Sequence, residues 1–585
     1  MRLTKVAFCS KIIHYSILTK EFIFVKIIQK YLSVLAFTVF LFCIAVYIAP
    51  APERILPQFT VQNPDGSAPQ DVSIYDANDG NYYVFLPSYA DLNQVSVTRS
   101  QNQPYSLGEM PLTNGTNCGS FQLETPYDFL EDDQKIATLW FYRSANVATM
   151  YIDTLSGNMK YLHQNKEHKE TVSVALYTDQ GELTFSDQRS SLNGRGNVSW
   201  EYDKRPYTLT LSADHGLLDM APASKWVLLA NAADETNLNN KLIFDLANRI
   251  GFQWTPQCRW IDLYTNGEYS GLYLLIEKIE VHENRLALDD ASGAFLCRVD
   301  IDDRWASLQN PFSTHAGRTV EISYPGILGS NDQFRIESLV SQLEEEILSG
   351  SNLQESAILD LDSWVRRYLI DEISANIDSD LASSYFYYAD GTFFAGPLWD
   401  YDMTLGNHPR NRDPWAFIAK NRYKADYFHS VYYGALYENP SFYSRVRELY
   451  RTEFVPELQK MLNGEIDFLT EFIRQASRSN SLRWRQMYDN LSADVVHTPS
   501  ALKDYFARRV SFLDSAWLDN TPYCTVQFKP SSGGAYRSVS VEKGQKLASG
   551  YVVTDSVIWI DSATNEVIDL SLPITRDLIL SRQAS

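Results

Sequence analysis

Two short acidic motifs, and the segment that separates them, constrain this chain most tightly. Asn376-Ile377-Asp378 is followed by Trp399-Asp400-Tyr401-Asp402, with Asp400 lying 22 residues beyond Asp378. Ahead of the first motif, Trp364, Val365, Tyr368, Leu369 and Ile373 recur at helical spacing, so the period predicts a buried helix over 362–376 that delivers Asp378 to a loop at its end. Between the motifs, Tyr385–Tyr388 and Thr392–Phe394 are aromatic and β-branched and are joined by Asp390-Gly391, a strong hairpin signal. Asp400 then leaves a Gly396-Pro397 turn beside Trp399. Helix, hairpin and turn together bring two or three carboxylates close to one another. Such crowding is costly unless a cation neutralises it, so a divalent metal is the expected companion.

A helix, an Asp, a hairpin and a second Asp is also how protein kinases present their catalytic and magnesium-binding carboxylates. Neither His-Arg-Asp nor Asp-Phe-Gly occurs here. The acidic motifs instead resemble the spore coat protein H (CotH) kinase family, whose pattern runs N-x-D, an aromatic strand pair and P-W-D-Y-D. Three further blocks extend the resemblance in order. They are Arg195-Gly196-Asn197 with Trp200 and Lys204-Arg205-Pro206-Tyr207; Lys225 to Asn231 with Asp234; and Asn266 to Tyr273, closing with Glu277-Lys278-Ile279. The four blocks span about 145–520. The resemblance implies an atypical kinase-like domain using ATP with Mg²⁺ or Mn²⁺, and phosphoryl transfer to Ser or Thr hydroxyls of proteins.

Such chemistry needs a phosphate cradle, a cation, metal carboxylates and a group that orients the acceptor. Asn193-Gly194-Arg195-Gly196-Asn197 is a Gly-containing turn able to approach phosphate closely, although it is not a Walker loop. Lys204, read as lying on the following strand, is the first choice for the phosphate cation; Arg195, Arg205 and Lys225 are rivals. Glu277 ends the apolar run Leu272–Ile276, where a carboxylate requires a partner: it either holds nucleotide or forms a structural ion pair. Asp378 is expected to orient the acceptor hydroxyl and take its proton, and Asp400 to be the principal metal ligand. Asp402 adds a second contact. Ser383-Ser384 stands where many relatives carry Asn or His, so Asp380 is the substitute candidate for a second metal ligand. The histidines show no H-E-x-x-H or H-x-H spacing, which disfavours a zinc enzyme, and no G-x-S-x-G occurs.

Residues 31–49 form an uncharged apolar run, preceded by six Lys or Arg and one Glu. That length and asymmetry predict a membrane span with the N-terminal 30 residues inside and the bulk of the chain outside, or, as the alternative, a signal peptide and a secreted protein. Beyond residue 50 the balance is 45 basic to 71 acidic residues. Nucleic acid is therefore excluded as a partner, and a basic, Ser-rich protein substrate is favoured. Cys118, Cys258, Cys297 and Cys524 show neither metal spacing nor disulfide density, so they read as buried thiols, with a Cys258–Cys297 bridge left open.

The expected fold class is α+β: a bilobed kinase-like domain over 145–520, strand-rich to about Val299 and helical after about Gln333, flanked by small all-β modules over 51–144 and 521–585. The predicted helices beyond Gln333 run through Leu339–Ile347, Ser441–Ala476 and Ala501–Ala516. The strands of the last module are Cys524–Phe528, Tyr551–Val553 and Val557–Ile560. Two other functions remain open on the residues alone: a surface binding or adhesion protein that has lost catalysis, and an ATP-using nucleotidyl transferase.

Overall fold

Strand alternation and helical period both carry through into the computed structural model, which describes residues 55–98, 104–289, 292–420, 431–492, 495–529, 537–548 and 557–583. The expected membrane span at 31–49 and the strand at 551–553 lie outside the described residues. Among the described residues no helix is long and apolar enough to cross a membrane. The architecture is mixed α+β.

The N-terminal region has a three-stranded sheet around Gln58–Val61 and a six-stranded sheet in which Asn81–Leu86 runs parallel to Gln134–Arg143. Phe59 of the first meets Phe141 of the second edge to face, at 5.4 Å between ring centroids. Seven strands then close into a barrel, in the order Ala148–Thr154, Lys169–Tyr177, Leu183–Gly194, Tyr207–His215, Ala223–Leu229, Glu268–Glu277 and Cys258–Thr265. Closure comes from parallel pairing of the first with the last. Tyr207, Leu209 and Leu211 alternate inward with exposed or half-buried neighbours, and they pack with Met150, Ile152, Val172, Trp226 and Tyr273 in the barrel core. The N-terminal sheets seat on the barrel through the Tyr264 hydroxyl, which donates to the Phe85 carbonyl at 2.9 Å.

A five-stranded antiparallel sheet follows, with Phe295–Asp300 at its centre between Thr319–Tyr324 and Ser384–Ala389. The predicted hairpin is present: Ser384–Ala389 pairs with Thr392–Ala395, and Asp390 and Gly391 both take positive φ, as the two-residue turn requires. The helix before the first acidic motif runs Leu361–Ser374, capped by Asp360, whose side chain accepts from the Ser363 amide, and ended by Ala375 in the left-handed conformation. Its apolar positions are buried together with those of the helices Ser330–Ser349, Pro440–Leu449 and Pro499–Trp517. The helical stretch expected at 441–476 is interrupted by wide turns at Tyr450–Phe454 and Met461–Glu465.

The C-terminal sheet places Tyr523–Phe528 between Arg537–Glu542 and a parallel Leu578–Arg582. The Trp415 carbonyl accepts from the Ser540 amide at 2.9 Å, and Tyr523 packs on Phe417 and Phe512. Residues 57–585 form one compact unit. Cys118, Cys258, Cys297 and Cys524 are buried free thiols, so Cys258 and Cys297 are not bridged.

Candidate active site

Both acidic motifs open onto one cleft of about 350 Å³, lined among others by Arg195, Gly196, Arg298, Arg304, Asp378, Ser383, Trp399, Asp400 and Asp402. The barrel supplies one wall through the Gly194–Ser199 loop. Gly194 packs so closely on Trp200 that a Cβ there would lie 2.2 Å from the indole, and Gly196 takes φ +86°, a conformation that favours glycine. Lys166 braces the loop by donating to the Gly196 carbonyl and the Asn197 side chain, each at 3.0 Å. The helical half supplies the opposite wall.

There the loops are held by amide ties. Asn376 accepts from the Asp378 amide at 3.0 Å. Asn240 accepts from the Tyr401 amide at 2.9 Å, while Asn239 and Asn407 donate to the Asp402 carbonyl. Asn240 is itself held by the Asn231 side chain at 3.0 Å. The block from Lys225 to Asp234 therefore contributes by gripping the second acidic loop. Asp400 takes φ +68°, a backbone state Asp tolerates better than most residues, and its carboxylate accepts from Ser383 at 3.0 Å.

Burial, reinforced by Asp400, pushes the Asp378 carboxyl up to about 6, although Arg304 and Arg410 oppose the rise. Asp402 is raised further, by burial and then by Asp400, Asp234 and Asp378. Both shifts come first from burial and then from the neighbouring carboxylates. Arg195 lies over the Trp399 ring at 4.9 Å, and its Nη1 is a buried donor with no hydrogen-bond partner among the described residues. Burial lowers its pKa, and Asp400 opposes that change.

An all-oxygen donor set of neighbouring carboxylates suits a hard divalent cation such as Mg²⁺ or Mn²⁺. Among the described residues no group of three or more His, Cys, Asp or Glu side chains is placed to hold a metal ion by itself. Mg²⁺ is ordinarily held by one or two carboxylates and completed by phosphate and water, so an incomplete protein shell fits that cation.

The structure gathers Asp378, Asp400, Asp402 and Arg195 from the predicted set and separates the others. Lys204 does not lie on a strand; it precedes Tyr207–His215 and is wholly buried. Its Nζ donates to the Leu272 carbonyl at 2.6 Å and sits over the Tyr273 ring. Burial drives its pKa well below the ordinary value despite Asp234 and Asp262, so a phosphate cation at this position is corrected to a buried amine. Lys225 pairs with Glu280 at 3.0 Å, and Arg205 donates to the His163 carbonyl over Trp200; neither lines the cleft. Of the two readings of Glu277 the structural ion pair holds: it meets Arg285 at 2.7 Å, with both side chains buried, and accepts from the Gln257 amide. Asp380 turns away to accept from the Tyr432 amide at 2.7 Å, at the start of the helix Tyr432–Glu438. It is withdrawn as a metal ligand.

Arg298, Asp300, Arg304 and Lys166 line the cleft but were not singled out from the sequence. Asp300 meets Arg304 at 2.8 Å and Arg298 at 3.3 Å. The available signal was Arg298 and Asp300 interrupting an otherwise apolar strand, Phe295–Asp300.

A family model described as CotH kinase protein matches residues 192–513, more than half of the chain. The chain belongs to the CotH kinase protein family. The matched region contains both acidic motifs and the Arg195 loop. No curated protein matches the chain.

Proposed function

We propose that this chain is a bilobed, ATP-dependent protein kinase that transfers the γ-phosphoryl group to Ser or Thr hydroxyls of extracytoplasmic proteins. The observation that carries the reading is the convergence of Asp378, Asp400, Asp402 and the unpartnered Arg195 donor on one cleft, within a member of the CotH kinase family. Asp400 and Asp402 would hold a divalent cation, which when bound neutralises charge on the transferring phosphates. Arg195 presents its free donor to phosphate oxygens from the barrel side. Asp378 orients the acceptor hydroxyl and takes its proton as the oxygen attacks phosphorus, and its raised pKa suits it to proton transfer near neutrality.

The acidic balance of the chain beyond residue 50 supports a basic, Ser-rich acceptor and argues against nucleic acid. The basic segment and apolar run at the N-terminus support attachment to the cell membrane through residues 31–49 with the remainder outside, or secretion if that run is cleaved.

The test is incubation of the protein with γ-labelled or α-labelled ATP, Mg²⁺ or Mn²⁺ and a basic Ser-rich peptide. Label from γ alone supports the kinase. Label from α identifies nucleotidyl transfer, and no label from either overturns an active transferase.

A further inference from the structure

Tyr401 lies between two residues that line the cleft, yet its own side chain is wholly buried. Its hydroxyl donates to Asp371 Oδ1 at 2.7 Å, and the same oxygen accepts from Asn376 Nδ2 at 3.0 Å. The other carboxylate oxygen accepts from Arg367 Nε at 2.8 Å and from Ser379 Oγ at 3.0 Å. Four donors therefore converge on one carboxylate with no solvent exposure, and charge-assisted bonds of this kind are the strong ones. Three of the donors come from the two acidic loops: Asn376 and Ser379 flank Asp378, and Tyr401 follows Asp400. Arg367 extends the same network to the Pro397 carbonyl at 3.2 Å, just ahead of the second motif.

We propose that Asp371 and Tyr401 are positioning residues that fix the separation and aim of Asp378 and Asp400. Asp371 touches neither the cleft nor the reacting atoms. It is a buried carboxylate to which both loops are bonded directly, with Asn411 adding bonds to the Ala375 and Met403 carbonyls, so losing a tie lets one acidic loop move relative to the other. The proposal rests on the kinase reading for its effect on rate, but the effect on cation binding does not require phosphoryl transfer.

The neighbouring residue provides an internal control. Glu372 is equally buried but faces the other way, accepting from Arg509 Nη2 at 2.6 Å and from the Ile418 and Ala419 amides at 2.6 and 3.0 Å. Its loss should damage the fold without loosening the acidic loops.

The experiment compares the parent chain with Tyr401→Phe, Ser379→Ala and Glu372→Gln. It measures the thermal midpoint, kcat and KM for ATP, and the affinity for Mn²⁺ in the presence of ATP by electron paramagnetic resonance. Tyr401→Phe is expected to keep the midpoint within a few degrees and KM within about twofold, while kcat and Mn²⁺ affinity each fall toward the roughly ten- to hundredfold range seen when partners of metal ligands are removed. Ser379→Ala should show the same pattern at smaller amplitude. Glu372→Gln should lower the midpoint most and leave kcat and Mn²⁺ affinity at parental values. The proposal is overturned if Tyr401→Phe keeps parental kcat and Mn²⁺ affinity, or if Glu372→Gln alters them as strongly. A parent that binds Mn²⁺ but transfers no phosphoryl group breaks the kinase reading alone, and the Mn²⁺ affinities then decide the tether. A parent that binds no Mn²⁺ overturns both.

Discussion

The barrel and the helical half build the two walls of the cleft by different physical means. On the barrel side the loop carrying Arg195 is set by packing and by partly exposed bonds from Lys166: Gly194 lies against an indole, and Arg195 itself stacks on Trp399. On the helical side the acidic loops are set by directional hydrogen bonds to buried Asn and Asp side chains. Water can replace a partly exposed hydrogen bond, whereas losing one to a buried carboxylate leaves that group unsatisfied. The barrel wall should therefore tune affinity, and the helical wall should decide whether chemistry occurs at all.

The largest expected effects fall on the helical wall. Asp400→Ala removes the proposed principal cation ligand, so transfer should drop by at least about a thousandfold and Mg²⁺-dependent nucleotide binding should weaken with it. Asp378→Ala should leave nucleotide and metal binding intact while turnover falls by about a hundredfold or more, the scale for loss of a positioned general base. Calorimetric titration with an ATP analogue and Mg²⁺, run beside the transfer assay, separates the two. Parental binding and turnover in both variants would make the acidic cluster structural and return the binding-protein reading.

On the barrel wall Arg195→Met should raise KM for ATP by about ten- to thirtyfold, the cost of one charged hydrogen bond, with a smaller change in kcat. Lys204→Met should do neither. Its amine is buried away from the cleft, and an apolar side chain of similar length removes the desolvation cost, so thermal stability at neutral pH should hold or rise. A KM that responds to Lys204 and not to Arg195 would reverse this assignment.

Glu277→Gln is expected to cost about 3 kcal/mol in denaturant unfolding, because Arg285 is left buried without its counter-charge, while kcat per folded molecule stays parental. Lost nucleotide affinity in a folded Glu277→Gln protein would instead put this carboxylate in the site.

The smallest effect concerns pH. Asp262, on the barrel strand Cys258–Thr265, is pushed up to about 7, first by burial, with Ser144, Tyr269 and Lys204 opposing. A carboxyl raised in the folded state stabilises the fold below its unfolded value and loses that contribution as pH rises through about 7. Asp262→Asn should therefore gain stability relative to the parent between about pH 5 and pH 8. Lys204, with a lowered pKa, acts in the opposite sense, so the difference between variant and parent is the quantity to measure. A difference that stays flat with pH would show that Asp262 is ionised in the fold.

The acidic wall was legible in the sequence because its determinants are local. A helical period ending at Asn376, an Asp-Gly turn and an aromatic hairpin each act over a few residues, and together they bring Asp378 and Asp400 to one edge. The Arg195 loop was visible through its glycines for the same reason. The identity of the cations was not legible. Lys204, Arg205, Arg195 and Lys225 lie within 31 residues of one another, and which of them faces the cleft depends on how seven strands close into a barrel and on where the chain turns before Tyr207. Glu277 looked like a nucleotide contact because a carboxylate ending an apolar run requires a partner, and Asp380 looked like a metal ligand because Ser383-Ser384 leaves that place open; only the fold supplied Arg285 and the Tyr432 amide as their partners. By itself the sequence determined the acidic motifs, the mixed α+β class and the family. The tertiary structure alone decided which charges share the cleft, because charge pairing depends on distances of a few ångströms between segments far apart in the chain.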